Sequence, residues 1–256
     1  MDYDNVGLLI GDPAAEVDKI LTCLDMTPDV AHEAVRIGAD LIVAHHPLIF
    51  PKITRINADT EQGRIIYTLI QHNVGLIAAH TNLDAARNGV SFVLADRIGL
   101  ENIDFLEPAE PEGSDEDTGM GAIGTLAGDG LSQEAFLQRL GDALSLEAIR
   151  FSGTAERITK VAVCGGAGVF LAEKAIESGA QAFVTGDIKY HDYFTEAESF
   201  LLADVGHYES EVPIVETLRD RISEAFGALE VVATGVNTNA MKIFIPEHPQ
   251  QSQHTE

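Results

Sequence analysis

Residues 41–50 read LIVAHHPLIF, an apolar run that stops on two adjacent histidines, His45 and His46, just ahead of Pro47. Two more apolar runs close in a similar way. VGLIAAH ends on His80, with Asp84 four residues on, and LLADVGH ends on His207, with Glu211 four residues on. This mix of imidazoles and carboxylates suits zinc, iron or manganese. Successive strand residues point to opposite faces. His45 and His46 therefore share one ion only if the strand has already ended, which Pro47 favours; otherwise each serves a different ion. The five donors His45, His46, Asp84, His207 and Glu211 exceed one tetrahedral site and suit two divalent ions with bridging carboxylates. Two ions ~3.5–4 Å apart polarise a substrate oxygen and generate hydroxide near neutral pH. A lone strand-end histidine is more often a satisfied structural group. The recurrence on three strands, with companion carboxylates, is what points to metal.

Other segments are less specific. TGDIKYHDYF (185–194) places Asp187 and His191 after a further strand. They read as partners that orient ligands, as proton shuttles, or as a helix cap with a surface histidine. VAVCGGAG (161–168) is a strand feeding a glycine loop. Such a loop can cradle phosphate, but without GxGxxG or Walker spacing a tight structural turn is an equal reading. Cys164 has no evident activating base and reads as core.

The elements that must position these groups alternate in type. Strands are expected at 20–26, 41–46 and 74–80, and the opening stretch to Pro13 is also strand-like. Helices are expected at 28–39, ending near Gly38, and at 60–73 and 88–100. Residues 107–119, EPAEPEGSDEDTG, form an acidic, mobile linker. Beyond it, strands are expected at 122–127, 158–165, 181–187, 201–207, 231–235 and 241–246. Helices are expected at 131–144, capped by Ser132, and at 169–179, 190–201 and 211–227. The polar tail 247–256 is expected to fray. Apolar strands alternating with helices argue for α/β sheets covered on both faces. The divisions are 1–106, the linker 107–119, and 120–256, whose 201–256 stretch returns ligands to the site.

Composition bounds the class. The chain has 256 residues, 45% hydrophobic and 22% charged, with 41 Asp and Glu against 16 Lys and Arg, a formal charge of −25. No apolar stretch nears the ~20 residues of a membrane helix, and no signal peptide opens the chain. The acidic surface excludes nucleic acid and anionic membranes as partners. It fits a high-salt cytoplasm, where counterions screen self-repulsion. Two cysteines make no disulfide framework, which points to a reducing cytoplasm.

Seven blocks, in order, resemble one known family: DNVGLLIGDP (4–13), AHHPLIF (44–50), AAHTNLDAARNGV (78–90), GMGAIGTL (119–126), VAVCGGAG (161–168), TGDIKYHDY (185–193) and GHYESE (206–211). This is the dinuclear-metal-centre hexameric protein family, whose members are often named GTP cyclohydrolase 1 type 2 homologs. The resemblance implies two linked α/β domains facing each other across a dinuclear site, in a short form without the inserted domain of longer members. It implies that His45, His46, Asp84, His207 and Glu211 hold two divalent ions, and that six chains form a homohexamer. Members carry a helix of about twenty residues (~30 Å) before the block that starts here at Asp4. The implied reaction is water attack at the purine C8 of GTP with formate release, His80 and His191 moving protons. The substrate is then a small, nucleotide-like molecule. The alternative is a non-enzymatic scaffold that stores, delivers or senses metal.

Overall fold

The computed structural model describes residues 4–50, 53–109, 117–195, 197 and 199–246. The first half runs β1 (Gly7–Ile10), β2 (Lys19–Cys23), α1 (Pro28–Ile37), β3 (Leu41–Ala44), α2 (Glu61–Gln71), β4 (Gly75–Ala78), the single turn α3 (Thr81–Asp84) and α4 (Val90–Arg97). The second half runs β5 (Leu100–Pro108), β6 (Gly119–Leu126), α5 (Gln133–Leu144), β7 (Arg150–Thr154), β8 (Lys160–Val163), α6 (Ala172–Glu177), β9 (Ala182–Thr185), β10 (Phe200–Asp204), α7 (His207–Glu211), α8 (Pro213–Ala225) and β11 (Glu230–Ala233). Two sheets result, with strand orders β1-β4-β3-β2-β11 and β5-β6-β8-β9-β10-β7.

Local chemistry explains the helix ends. The Thr27 side chain accepts from Val30 N and Pro28 opens α1, whose stop is Gly38 at φ 68. Thr60 and Ser132 cap α2 and α5 in the same manner. The parallel strands β2, β3 and β4 carry side chains buried on both faces, as sequence runs such as LIVA require. No inserted domain separates β5 from β6: the two pair as antiparallel neighbours, Pro108 opposite Gly119.

Each sheet has its own apolar core, Leu21, Ile42, Ile65, Leu69 and Leu76 in one and Phe136, Leu140, Val161 and Val184 in the other. Phe183, Phe200 and Leu202 fill the opposite face of the second sheet. Val90 of α4 and Ile214, Val215 and Leu218 of α8 pack on Ile20 and Val43 of the first sheet. Strand β11 lies parallel to β2. The chain therefore returns to its first sheet after building the second, and α4 and α8 bind the two units together.

Several expected elements differ. Of the helix expected at 190–201, the described residues show only a 3-10 turn, Tyr190–Tyr193, and β10 begins at Phe200. Tyr193 explains this: its carbonyl accepts from Ser152 Oγ and its hydroxyl binds the buried carboxylate of Asp204, which holds the segment against the sheet. The expected 211–227 helix is α7 plus α8, divided before Pro213, which starts α8. Residues 241–246 pair with no strand among the described residues. Strands β5 and β7 were not expected; β7 carries a glycine and polar residues, and β5 a broken alternation. The acidic stretch 107–119 overlaps the ends of β5 and β6, and its middle, 110–116, lies outside the described residues, as does the tail 247–256.

Phe183 is fully buried at the centre of β9. Phe183→Ala is expected to cost about 3–5 kcal/mol of stability. Phe151→Ala, on the exposed edge strand β7, is expected to stay within about 0.5 kcal/mol. Urea titration of both variants checks the contrast.

Candidate metal centre

The histidine pair sits one step past a strand end. Strand β3 stops at Ala44, yet the N–H groups of His45 and His46 still donate to Cys23 O and Leu24 O beside them. That brings both rings to one place, with centroids 4.9 Å apart. His80, after β4, lies 5.4 Å from the His45 ring and 5.6 Å from the His46 ring. His207, at the start of α7, lies 5.4 Å from His46. Donor atoms of His45, His46 and His80 fall within 4.8 Å of one another, as do those of His46, His207 and Glu211.

Every one of the four rings is held from outside through Nδ1. His45 Nδ1 meets Ala79 O at 2.8 Å, His46 Nδ1 meets Asp25 at 2.7 Å, and His207 Nδ1 meets Asp187 at 2.8 Å. His80 Nδ1 lies 3.0 Å from both oxygens of Asp4. A carbonyl or carboxylate can only accept, so each Nδ1 carries a proton and each Nε2 faces inwards, where it offers a lone pair to a cation once it has shed any proton of its own. This is the arrangement metal-ligating histidines adopt.

Glu211 is the buried anion among them. Its Oε2 lies 2.9 Å from His46 Nε2, 3.1 Å from His207 Nε2 and 3.8 Å from His45 Nε2. Asp84 Oδ1 is 3.6 Å from His45 Nε2. Yet Glu211 Oε2 and His45 Nε2 are buried without a hydrogen-bond partner, and the carboxylates nearest His45 Nε2 stand beyond hydrogen-bond reach. Such unmet polar atoms are costly. A cation among them satisfies both, so the donor set fits a divalent ion.

The electrostatics of the bare site show how tightly the groups are coupled. Burial pushes His45 down to about 4. Burial opposes charge on His46 too, but the Asp25 hydrogen bond and the Glu211 carboxylate raise it to about 10. Glu211, ahead of Asp187, raises His207 to about 9. Burial and the Glu211 charge push Asp84 up to about 7. Burial works against Glu211 as an anion, yet the imidazoles hold it down at about 2. Asp4 also stays well below the usual carboxylate range despite desolvation, because Thr81 and His80 hydrogen-bond to it.

The glycine loop after β8 is a structural turn here. Its N–H groups are consumed by side chains: Gly165 N donates to Ser91 Oγ, Gly166 N to Ser210 Oγ, and Gly168 N to Thr185 Oγ1. Gly166 has φ +62, and a Cβ there would stand 2.3 Å from Glu211 Oε1. The loop thus leaves room for the carboxylate. Cys164 is half-buried against the second sheet, and desolvation pushes its thiol up to about 12, as suits a packing residue.

Asp187 is the partner of His207, whereas His191, of the same segment, is exposed beside Tyr190 and does not join the cluster. Two outer partners escaped the sequence reading. Asp25 ends β2 as the histidines end β3 and β4, a signal that was present. Asp4 precedes β1 and reaches His80 only through tertiary contact.

A family profile described as Duf34/NIF3 (NGG1p interacting factor 3) matches residues 1–240. This chain belongs to the DUF34/NIF3 family. A Clostridium acetobutylicum protein named GTP cyclohydrolase 1 type 2 homolog is 32% identical over 240 residues, covering 93% of this chain and 86% of that protein. A crystal structure of a Staphylococcus aureus hypothetical protein superposes with a TM-score of 0.87 at 32% identity, over 95% of this chain and 93% of the other. A Bacillus cereus protein related to NIF3 shares the fold, with a TM-score of 0.84 at 24% identity, over 96% and 94% of the two chains. The two-sheet α/β architecture is therefore that of the DUF34/NIF3 family, and its His/Glu cluster is a site able to bind metal.

Two outcomes are expected. Gly166→Ala is predicted to displace Glu211 and to lower metal content by at least about half, measured by elemental analysis on protein of intact far-UV circular dichroism. The second concerns pH. Without metal, His46 at about 10 and His207 at about 9 stabilise the fold below the ordinary histidine value of ~6.5, and that contribution is lost as pH rises through 9 to 10. Metal ligation runs the other way, since donors shed protons to bind. The melting-temperature gap between metal-loaded and chelator-stripped protein is predicted to widen from pH 7 to pH 9; a gap that narrows contradicts the donor set.

Proposed function

We propose that this chain is a metal-dependent hydrolase of a small, nucleotide-like molecule, with His45, His46, Asp84, His207 and Glu211 holding two divalent ions. The observation that carries this reading is the buried, unpartnered pair His45 Nε2 and Glu211 Oε2 inside a ring of inward imidazole nitrogens. A divalent ion bound there supplies Lewis acidity, lowering the pKa of water and polarising a substrate oxygen.

The protein's own groups supply the rest. The site is open on one side: Asp84 is 39% and His207 36% exposed at the side chain, so a small molecule can reach them. Openness favours catalysis over a sealed storage site. His80 is fixed by Asp4 through Nδ1, and its Nε2 has no hydrogen-bond partner among the described residues, a geometry suited to taking a proton from water and returning it to a leaving group. Phe50, 59% exposed, stands edge-on 6.4 Å from the His80 ring and offers apolar surface on which a purine can stack. The Clostridium relative is named GTP cyclohydrolase 1 type 2 homolog, which supports a cyclohydrolase type of reaction on GTP; for this chain that reaction would be water attack at C8 with formate release.

The test is turnover of GTP and other purine nucleotides by protein of known metal content. Formate release that stops on chelation and returns with added zinc, iron or manganese is the expected result. His80→Ala is expected to lower turnover about 10²–10⁴-fold with metal content kept. Full metal content without turnover on any nucleotide would favour a metal-handling scaffold instead.

A further inference from the structure

A cleft of about 800 Å³, lined by none of the clustered histidines, lies where the end of α5, strand β7 and the β10–α7 turn face the C-terminal segment 237–243. That volume is in the range of small-molecule sites, and the junction of two packed units is where such sites occur. Its charge is unusual for this chain. Among its lining residues are three of the 16 Lys and Arg (Arg97, Arg150, Lys242) but only three of the 41 Asp and Glu (Glu147, Asp204, Glu209). Asp204 is neutralised by Arg150 at 2.6 Å, and Glu209 accepts from Asn239 at 2.7 Å. Arg97 and Lys242 have no carboxylate partner among the described residues. Arg97 Nε donates to Ala143 O at 3.2 Å, which steers the guanidinium and leaves its terminal nitrogens free, and Lys242 Nζ meets only Asn239 O, at 3.4 Å. Glu147 remains as an opposing charge. On a chain of formal charge −25, two cations without a carboxylate partner line one cleft together with amide side chains, a combination suited to an anion.

We propose that this cleft binds a phosphate-bearing small molecule of up to mononucleotide size, at a site separate from the histidine centre. The proposal is independent of what the histidine centre turns over. Two contacts couple the sites. Thr238 lies between the lining residues Asn237 and Asn239, and its hydroxyl donates to Asp25 at 2.6 Å; Asp25 in turn holds His46 at 2.7 Å. Helix α7 presents Tyr208 and Glu209 to the cleft and carries His207 and Glu211 in the metal centre. An occupant that orders this segment changes metal affinity, and metal changes the occupant's affinity by the same factor.

The experiment is calorimetric titration of GMP, and separately of inorganic phosphate, into metal-loaded and chelator-stripped full-length protein. The expected result is saturable binding of at least one probe that persists after stripping. It should weaken about tenfold or more in the Arg97→Ala/Lys242→Ala double variant, with melting temperature and metal content unchanged. GMP binding with phosphate inert points to a nucleotide occupant, and binding of both to the phosphate group alone; each supports the site. The single Lys242→Ala, outside any helix or strand, serves the same test with a smaller factor. No saturable binding of either probe overturns the proposal. So does binding that disappears on stripping and ignores the double variant, since the anion then sits at the histidines.

Discussion

One buried carboxylate, Glu211, governs this structure. It is 5% exposed at the side chain and lies within 3.8 Å of three imidazole nitrogens. A charge taken out of water is costly unless opposite charge or hydrogen bonds meet it. Much of the nearby architecture meets that demand. Strand β3 ends one residue early enough to present both His45 and His46. Gly166, in a backbone conformation that side chains rarely adopt, leaves the space a Cβ would take to Glu211. Ser210, one residue before Glu211, takes up the N–H of Gly166 and so fastens the loop to α7.

The outer ring of acceptors solves a second problem, the orientation of four imidazoles from two strand ends and one helix. Ala79, Asp25, Asp4 and Asp187 each fix one Nδ1. These acceptors come from the ends of β4, β2 and β9 and from the approach to β1, so the lone pairs point inwards only when both sheets are assembled. The cross-packing of α4 and α8 on the first sheet is therefore part of the site as well as of the core. With the carboxyl ends of parallel strands from two sheets brought together, the centre lies where α/β folds gather functional side chains.

Most of the regular structure was legible because it was written in local chemistry. Apolar runs such as LIVA, caps such as Thr27 and Ser132, and stops such as Gly38 act within a few residues. The elements that were missed depend on distant partners. Tyr193 binds Asp204 and Ser152, and where a helix was expected the described residues show only a 3-10 turn. Strand β7, with its glycine and polar residues, is a strand because β10 offers it an edge. The candidate donors were visible as strand-end histidines with carboxylates four residues on, while Asp4 carried no local mark that tied it to His80, 76 positions away.

The sequence by itself determined the element types, the two-sheet α/β class, the residues with ligand chemistry and the acidic surface, since each follows from composition, periodicity or spacing. Tertiary structure alone decided three further matters: that His80 joins the cluster and His191 does not, that the glycine loop makes room for Glu211, and that β11 closes the first sheet. The physical reason is common to all three. Short-range preferences fix the path of the chain over one turn or one strand. Which lone pair faces which carboxylate depends on packing between segments up to about two hundred residues apart, and on the cost of leaving a buried polar group unpaired.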